Sequence, residues 1–352
     1  MTVAADLITP ALVVDAEALE FNLNAMSLAL PGDRLRPHVK AHKCTALARR
    51  QAEEGHHGFC CATLREIEGM AAAGLGADLL LANETLDGER LRALAAGDAR
   101  VSIAVDSEAT VAVAADAGVR EVMIDVNVGM PRCGCAPEDA GRLADDARAK
   151  GMDVRGVMGY EGHVVGLPDR TQRTDLCNAA MELLLRAHDD VGGEVVSAGG
   201  TGTFDINMAA TEIQAGSYAL MDTAYGELDI PFRQAVFVVA TVISVSEGFA
   251  VADCGLKALA MDHGNPSIPD ANVWFCSDEH ITFAAPPADA GTAALPTVGD
   301  RIAVIPAHVD PTLAKHERMH ILDTSGTGGE STRDRIVGAP ILDTWEIDLR
   351  HW

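Results

Sequence analysis

One short segment concentrates residue types that can do chemistry, the run Arg36-Pro-His-Val-Lys40-Ala-His-Lys43. The chain has only five lysines, and two of them lie in this run beside two histidines. A lysine amine becomes a covalent catalyst when it condenses with a carbonyl group, which requires a rigid and partly desolvated position. The end of a strand offers such a position, where His38, Lys40 and His42 would alternate to one side. Lys40 is therefore our candidate, although a solvated basic cluster after a strand would show the same residues.

The elements that must position this lysine follow a regular rhythm. Between residues 36 and 222 short apolar runs alternate with Ala/Leu/Glu/Arg-rich stretches of helical period, which is typical of α/β proteins. Eight such units favour a TIM (β/α)8 barrel over an open doubly wound sheet, and a barrel carries its chemistry at the carboxyl ends of its strands. The predicted strands are 36–40, 58–62, 78–82, 101–105, 122–126, 154–158, 195–198 and 218–221.

After Tyr225 the pattern changes to strand-like runs joined by Gly, Pro and Asp turns, which predicts a C-terminal all-β domain. The strands expected there are 235–245, 248–253, 273–276, 280–284, 301–305, 319–322, 335–337 and 344–349. Residues 9–15 are also strand-like and precede the barrel. We therefore expect an N-terminal strand segment at 1–20 that packs with the C-terminal domain, a barrel at 21–228 and a β domain at 229–352.

Composition excludes several classes of function. The formal charge of −25 argues against binding to nucleic acid or to an anionic membrane surface, because both need basic patches. The sequence has no apolar run near the roughly eighteen residues of a membrane span and no signal peptide at its N-terminus, so we expect a cytoplasmic protein. The eight cysteines lack the spacing of zinc sites and are predicted to be reduced thiols, mostly buried.

Two glycine-rich segments flank the last predicted barrel strands. Ser197-Ala-Gly-Gly-Thr201-Gly-Thr203 follows the seventh strand, and Gln214-Ala-Gly216-Ser217 precedes the eighth. In TIM barrels this region commonly holds phosphate on backbone N–H groups, and glycine lets the backbone approach the ligand closely. A glycine-rich loop alone is weak evidence, but its place in the barrel favours a phosphate site.

Three further side chains follow the fifth and sixth strands. Arg132 lies on a glycine-turned loop, and its planar guanidinium suits a carboxylate or a phenolate oxygen. Tyr160 can lie against a flat ring, and His163 can move a proton near neutral pH. Each of them could equally be an ordinary surface side chain, so their shared location is what makes them candidates.

The run Pro306-Ala-His308-Val-Asp310-Pro-Thr ends a strongly strand-like stretch of the predicted β domain. On a strand, residues two apart point to the same face, so His308 and Asp310 could share one metal ion. One nitrogen and one carboxylate, with room left for water, favour Mn²⁺, Mg²⁺ or Co²⁺ over a closed structural zinc site. Pairs of this kind also occur by chance.

Taken in order, these pieces resemble the pyridoxal-phosphate enzymes of the alanine-racemase-like fold, and within them the D-threonine aldolase and D-serine dehydratase family. The resemblance covers nearly the whole chain. It rests on the runs at 9–15, 36–43, 59–68, 125–134, 197–206, 211–222, 253–259 and 306–312.

The resemblance implies roles for the residues already singled out. Lys40 would hold pyridoxal phosphate covalently, Tyr160 would lie beside its ring, and Arg132 would contact the cofactor or the substrate. His308 and Asp310 would bind the metal, and a His-x-Asp pair resembles the aldolases, whereas dehydratases tend to show His-x-Cys. The residues implied to hold the cofactor phosphate are Thr201, Gly202, Gly216 and Ser217.

One segment departs from the family pattern. The aldolases carry Tyr-His-Gly with a further histidine several residues on, whereas this chain has Tyr160-Glu-Gly-His163. His163 is therefore the candidate catalytic base, with Glu161 as the second candidate.

The resemblance as a whole implies a carbon–carbon lyase. We expect retro-aldol cleavage of a small-molecule D-3-hydroxy amino acid, of the D-threonine or D-phenylserine type, to glycine and an aldehyde, with pyridoxal phosphate and a divalent metal as cofactors. The alternatives are a metal-dependent dehydratase acting on D-serine or D-3-hydroxyaspartate, an amino-acid racemase, or a non-catalytic barrel that binds the cofactor. The resemblance also implies a homodimer.

Overall fold

The computed structural model describes residues 2–286, 295–327 and 331–352, which form two compact units. The barrel unit contains Asn24–Gly216, Leu228–Ile230 and Asp348–Trp352. The β unit contains the described residues within Met1–Leu23, Ser217–Glu227 and Pro231–Ile347. No helix in the described ranges is long and apolar enough to cross a membrane. The eight cysteines are all free thiols, as predicted.

The elements are numbered in chain order. The strands are β1 Ala11–Asp15, β2 Gly58–Cys61, β3 Asp78–Leu81, β4 Val101–Val105, β5 Glu121–Asp125, β6 Asp153–Gly159, β7 Val195–Ala198, β8 Glu212–Ile213, β9 Val236–Ser246, β10 Phe249–Ala252, β11 Asn272–Cys276, β12 Ile281–Ala284, β13 Arg301–Val304, β14 Arg318–Leu322 and β15 Ile341–Glu346. The α-helices are α1 Ala16–Ala29, α2 Thr45–Glu53, α3 Leu64–Ala72, α4 Gly88–Ala95, α5 Glu108–Asp116, α6 Ala140–Ala149, α7 Arg170–Val191, α8 Thr223–Gly226, α9 Val309–Ala314 and α10 Thr332–Val337.

The barrel unit is built on a parallel sheet whose strands follow one another in chain order, from β2 to β8. The apolar strand residues are buried, and Leu80, Ala104, Met123 and Met158 pack together in one cluster. Amphipathic helices alternate with the strands, and most begin at a side chain that caps the first turn. These capping residues are Thr63, Asp87, Ser107 and Asp169.

The first predicted barrel strand, 36–40, is reduced to two bridges that join the edges of this sheet. Leu35 pairs with Ile213 of β8, and His38 pairs with Cys60 of β2. A continuous strand does not form because Pro37 has no N–H to donate and the chain then turns into the 3-10 helix Val39–Ala41. The predicted barrel is thus present, with its first strand shortened.

The last predicted barrel strand, 218–221, is wrong. The eighth strand lies earlier, at β8, and Ser217–Ala219 forms a 3-10 helix in the β unit. The Ser217 carbonyl accepts the backbone N–H of both Leu220 and Met221, so local turn bonds take the place of sheet partners. Met221 has a φ of 61°, a left-handed conformation that no regular strand contains.

A charged network crosses the amino ends of the barrel strands. Arg36 contacts Glu212 at 2.7 Å and Asp78 at 3.1 Å, and Arg155 contacts Asp78 at 2.8 Å. Although burial disfavours a charged carboxyl, hydrogen bonds from Arg155 and Arg36 hold the pKa of Asp78 below its usual value. The network therefore supports the barrel at the end opposite the predicted chemistry.

Strands of the β unit form one mixed sheet, in the order β11, β12, β10, β9, β1, β14, β15, with β13 also paired to β9. The N-terminal strand β1 runs parallel to β14 and antiparallel to β9. The buried core of the β unit includes Val13, Phe237, Ala303 and Ile336. The strand predicted at 335–337 is wrong, because these residues end helix α10, which Ser331 caps by accepting the N–H of Asp334.

Candidate active site

The two lysines of the opening segment have different environments. Lys40 lies half-buried in the 3-10 helix Val39–Ala41, where the His38 ring caps the turn by accepting the Lys40 N–H at 3.5 Å. Lys43 forms a salt bridge with the fully buried carboxylate of Glu66. Because the Lys43 ammonium neutralises this buried carboxylate, it is committed to the fold, and Lys40 is the candidate for covalent chemistry.

His42 does not line a shared face with Lys40, so the predicted strand alternation is wrong. Its ring is fully buried, and Nδ1 accepts the backbone N–H of Cys44 at 3.2 Å. Nε2 lies 3.3 Å from the amide oxygen of Gln51. An Nδ1 that accepts and an Nε2–H that donates define a neutral imidazole with a structural role.

The glycines of the predicted phosphate region make close backbone approaches. A Cβ on Gly216 would lie 2.5 Å from the His38 carbonyl oxygen and 3.0 Å from the Ala41 side chain. A Cβ on Gly202 would lie 1.7 Å from the carbonyl oxygen of Val165. Only glycine fits at either position, so the segment before Ser217 packs directly against the turn that carries Lys40.

Glu161, the second candidate base, is fully buried under the glycine-rich loop. Its carboxylate accepts hydrogen bonds from the Gly199 N–H at 3.1 Å, the Thr203 hydroxyl at 2.9 Å and the Asn207 amide at 3.1 Å. The Cys177 thiol also contacts it at 3.6 Å. A buried carboxylate that accepts this many hydrogen bonds holds the loop in place and is not accessible to a substrate.

Arg132, Tyr160 and His163 come together at the carboxyl ends of the barrel strands. The Arg132 guanidinium lies 5.4 Å from the centre of the Tyr160 ring. A Cβ on Gly200 would lie 3.4 Å from Cε2 of the Tyr160 ring. The ring therefore lies beside the glycine-rich loop. The exposed His163 ring packs against Gly129, where a Cβ would meet Cε1 at 3.0 Å. The structure therefore groups the three predicted residues.

A buried pair of acids also lies at these strand ends, and sequence reasoning gave it no role. Both carboxylate oxygens of Glu84 are buried, and they lie beside Asp125 and Cys133. Burial and the neighbouring Glu84 raise the pKa of Asp125 well above its usual value. Glu84 also raises the pKa of the Cys133 thiol to about 11. Burial therefore favours the protonated form of Asp125, which lowers charge repulsion near the loop that carries Arg132.

In the β unit, His308 and Asp310 do not lie on a strand, so that part of the prediction is wrong. Strand β13 ends at Val304, and His308 is the N-cap of helix α9. Pro311 suits the first helical turn because the N–H that it lacks has no partner there. His308 and Asp310 are therefore related by the start of a helix and not by strand alternation.

Two contacts within the β unit fix the start of α9. Asp222 is fully buried and accepts the N–H of Val309 at 2.8 Å and that of Tyr225 at 3.0 Å. Burial raises the pKa of Asp222, although these two hydrogen bonds oppose the shift. The Ser217 hydroxyl donates to Asp310 at 3.2 Å. Asp222 thus fixes the backbone of Val309, and Ser217 fixes the side chain of Asp310.

A further acid contacts His308. The carboxylate of Asp262 lies 2.6 Å from His308 Nδ1, and the rings of His263 and His308 stack with centroids 3.9 Å apart and planes 7° from parallel. Potential ligand atoms of Asp262, His263 and His308 lie within 4.8 Å of one another. Nitrogen and carboxylate donors in one group fit a divalent cation.

Family models match both parts of the chain. The alanine racemase N-terminal domain matches residues 14–224, and a putative serine dehydratase domain matches residues 235–322. A D-threonine aldolase from Arthrobacter sp. is 34% identical, over 97% of this chain and 92% of that protein. The chain belongs to the alanine-racemase-like family that includes D-threonine aldolase.

Other relatives within this family agree. A 3-hydroxy-D-aspartate aldolase from Paracoccus denitrificans is 30% identical, over 88% of this chain and 87% of that protein. The crystal structure of D-threonine aldolase from Filomicrobium marinum superposes with a TM-score of 0.88 at 33% identity, and covers 98% of this chain and 96% of that one. These matches confirm the predicted family and fold, agree with the prediction of an aldolase-type lyase, and support pyridoxal phosphate as cofactor.

The roles of the individual site residues stay predictions. Sequence reasoning missed Asp262 altogether. Asp262 lies 46 residues before His308, and only the folded β unit brings the two together. The one sequence signal was its place in the turn Met261-Asp-His-Gly264, just after the run at 253–259 that carries part of the family resemblance.

Proposed function

We propose that this protein cleaves D-3-hydroxy amino acids, of the D-threonine or D-phenylserine type, to glycine and an aldehyde. The observation that carries the proposal is the half-buried Lys40 on a turn packed against Gly216, while the neighbouring Lys43 is neutralised by Glu66. Lys43 therefore has a structural role, and the resemblance to the family assigns the covalent role to Lys40. The 34% identity to a D-threonine aldolase supports the choice of reaction.

The residues of the barrel unit fit pyridoxal phosphate. Lys40 would hold it covalently, and the tight glycine-rich segments around Gly202 and Gly216 would offer backbone N–H groups to its phosphate. Tyr160 would lie against its ring and Arg132 would contact the cofactor or the carboxylate of the substrate. When bound, the cofactor supplies an electron sink for the charge that develops when a bond to Cα breaks.

The residues of the β unit fit a divalent cation, because His308 and Asp310 offer one nitrogen and carboxylate oxygens at the start of α9. Mn²⁺, Mg²⁺ and Co²⁺ accept such donors. A bound cation of this kind supplies Lewis acidity, which lowers the pKa of a hydroxyl group that contacts it.

The chain's own proton carrier would be His163. Retro-aldol cleavage requires removal of the proton from the 3-hydroxyl as the Cα–Cβ bond breaks, and an imidazole accepts a proton near neutral pH. His163 is exposed and packs on Gly129, so its ring is accessible to a ligand. The Glu161 carboxylate is not accessible to a ligand, because it is buried and accepts hydrogen bonds from the glycine-rich loop.

The second candidate is a dehydratase that releases a 2-oxo acid and ammonia. The match of residues 235–322 to a putative serine dehydratase domain favours it. Asp310 favours the aldolase, since the resemblance associates His-x-Asp with D-threonine aldolases. A racemase would exchange the α-proton and break no bond to Cβ.

The experiment that tests the proposal compares D-threonine, D-phenylserine and D-serine with and without Mn²⁺. We expect chelator to abolish turnover of the first two substrates while the absorbance of the bound cofactor remains. Full activity after removal of metal would contradict the role of the cation. The predicted homodimer and cytoplasmic location stay predictions, and light scattering of the purified protein would test the first.

A further inference from the structure

We infer that Asp262 is a positioning residue for the metal centre, which holds His308 so that its Nε2 faces the ion. The inference rests on the proposed function, because it assumes that His308 is a metal ligand. Asp262 lies outside the His-x-Asp pair, and its part in the site follows from its contacts in the folded β unit alone.

The contact itself assigns the tautomer of His308. Asp262 approaches Nδ1 at 2.6 Å, and an ionised carboxylate can only accept a hydrogen bond. In the neutral imidazole that binds a metal, the proton would therefore lie on Nδ1, and Nε2 would keep the lone pair that the metal needs. A carboxylate behind a metal-binding imidazole fixes the ring orientation and increases the basicity of the ligating nitrogen.

Two hydrogen bonds hold the Asp262 segment against α9, so this contact is built into the fold. The Ala260 N–H donates to the Thr312 hydroxyl at 3.0 Å, and the same hydroxyl donates to the His308 carbonyl at 2.7 Å. Just beyond the end of α9, His316 Nε2 lies 2.9 Å from the Ala258 carbonyl oxygen. Segment 258–262 and the start of α9 therefore form one rigid arrangement.

His263 has a different role, although its ligand atoms lie close enough for coordination. A ring nitrogen binds a metal in the plane of its own ring, about 2.1 Å away. The rings of His263 and His308 are 7° from parallel with centroids 3.9 Å apart. An ion in the plane of the His308 ring would therefore lie outside the plane of the His263 ring. We assign His263 to packing on the face of His308.

The test measures Mn²⁺ binding by calorimetry on the full chain carrying pyridoxal phosphate, after metal has been removed with chelator. The proteins are the wild type, D262N, H308Q, the double variant D262N/H308Q and H263F, each with its thermal midpoint recorded to confirm folding. We expect D262N to weaken Mn²⁺ binding about tenfold, at the lower end of the effect typical for such outer carboxylates because Asp262 is half exposed.

Two comparisons show whether Asp262 acts through His308. We expect D262N/H308Q to bind Mn²⁺ as H308Q does, within about twofold, because a positioning effect disappears with the residue that it positions. H263F keeps the stacking surface without a nitrogen and should bind within about twofold of the wild type. Mn²⁺ binding by D262N equal to that of the wild type would overturn the inference, and so would additive losses in the double variant.

The same data separate this inference from the proposed function. A wild type that binds no Mn²⁺ would overturn the metal centre and the inference together. A wild type that binds Mn²⁺ while D262N binds equally well would overturn the inference alone. A loss in H263F as large as that in D262N would overturn the assignment of His263 to packing.

Discussion

The Ser217 hydroxyl donates a hydrogen bond to the Asp310 carboxylate at 3.2 Å. This bond joins a residue predicted to hold phosphate to a residue predicted to hold metal. A hydroxyl has only one proton to donate, so while it serves Asp310 it cannot serve a phosphate oxygen. If Ser217 holds phosphate as predicted, it would do so through its backbone N–H, while its side chain contacts the predicted metal ligand Asp310.

Replacement of Ser217 by alanine separates these two roles. We expect S217A to weaken Mn²⁺ binding about fivefold, the equivalent of about 1 kcal/mol for one lost hydrogen bond. Affinity for pyridoxal phosphate should stay close to that of the wild type, because alanine keeps the backbone N–H. Calorimetry with Mn²⁺ and fluorescence titration with the cofactor measure the two effects. The opposite pattern would place the hydroxyl on the phosphate.

Lys40 and Lys43 provide a matched pair of substitutions three residues apart. K40A should lose the absorbance of covalently bound pyridoxal phosphate and all turnover, because the Lys40 amine is the group proposed to condense with the cofactor. K43M should keep the absorbance but lose about 3 kcal/mol of stability, since Glu66 would be left as a buried unpaired charge. The double variant K43M/E66Q should recover part of that loss in urea unfolding. A K40A protein that retains the cofactor absorbance would refute the assignment.

Glu161 is predicted to act on the glycine-rich loop and not on the substrate proton. E161A removes the acceptor for Gly199, Thr203 and Asn207, so we expect affinity for pyridoxal phosphate to fall at least about tenfold. The shape of the pH profile of kcat should stay unchanged, because the proposed proton carrier is His163 and not Glu161. E182Q, on an exposed position of α7, serves as the control. Normal cofactor affinity together with a lost acidic limb in the pH profile would instead identify Glu161 as the base.

The charged network at the amino ends of the barrel strands makes a prediction about acid stability. Hydrogen bonds from Arg155 and Arg36 lower the pKa of Asp78 in the folded protein. The Asp78 carboxylate therefore adds to folding stability above its unfolded-state pKa of about 4, and this stability is lost as the pH falls below that value. D78N should therefore lose about 3 kcal/mol of stability at pH 7 relative to the wild type, because it breaks a largely buried ion pair. This difference should shrink as the pH is lowered below about 4. D98N, at an exposed position, should show neither effect. A D78N deficit that does not change with pH would argue against the ion pairs.

The sequence predicted most barrel strands well because they follow from local patterns. The alternation of buried apolar runs and amphipathic stretches locates β2 to β7 closely, and Lys40 lies where the first of the predicted units ends. Errors arise where local and tertiary preferences compete. Residues 218–221 are as apolar as a strand, but Ser217–Ala219 forms a 3-10 helix, and the Ser217 carbonyl accepts the N–H groups of Leu220 and Met221.

The second half of the site depended on tertiary contacts that no local pattern contains. The run at 308–312 is too short to distinguish strand from helix, and the helix is fixed by the buried Asp222, which accepts the Val309 N–H. Asp262 meets His308 only because Thr312 and His316 bind the backbone of residues 258–260. The burial of Glu161 likewise follows from the position of the loop at 199–207 and not from its neighbours in sequence.

The most direct test of the proposed function is the identity of the products formed from D-threonine. Wild-type protein loaded with pyridoxal phosphate and Mn²⁺ should release glycine and acetaldehyde in equal amounts, and K40A prepared in the same way should release neither. Both products should be quantified in one sample together with 2-oxobutyrate and ammonia. Release of 2-oxobutyrate and ammonia without glycine would contradict retro-aldol cleavage and identify the protein as a dehydratase.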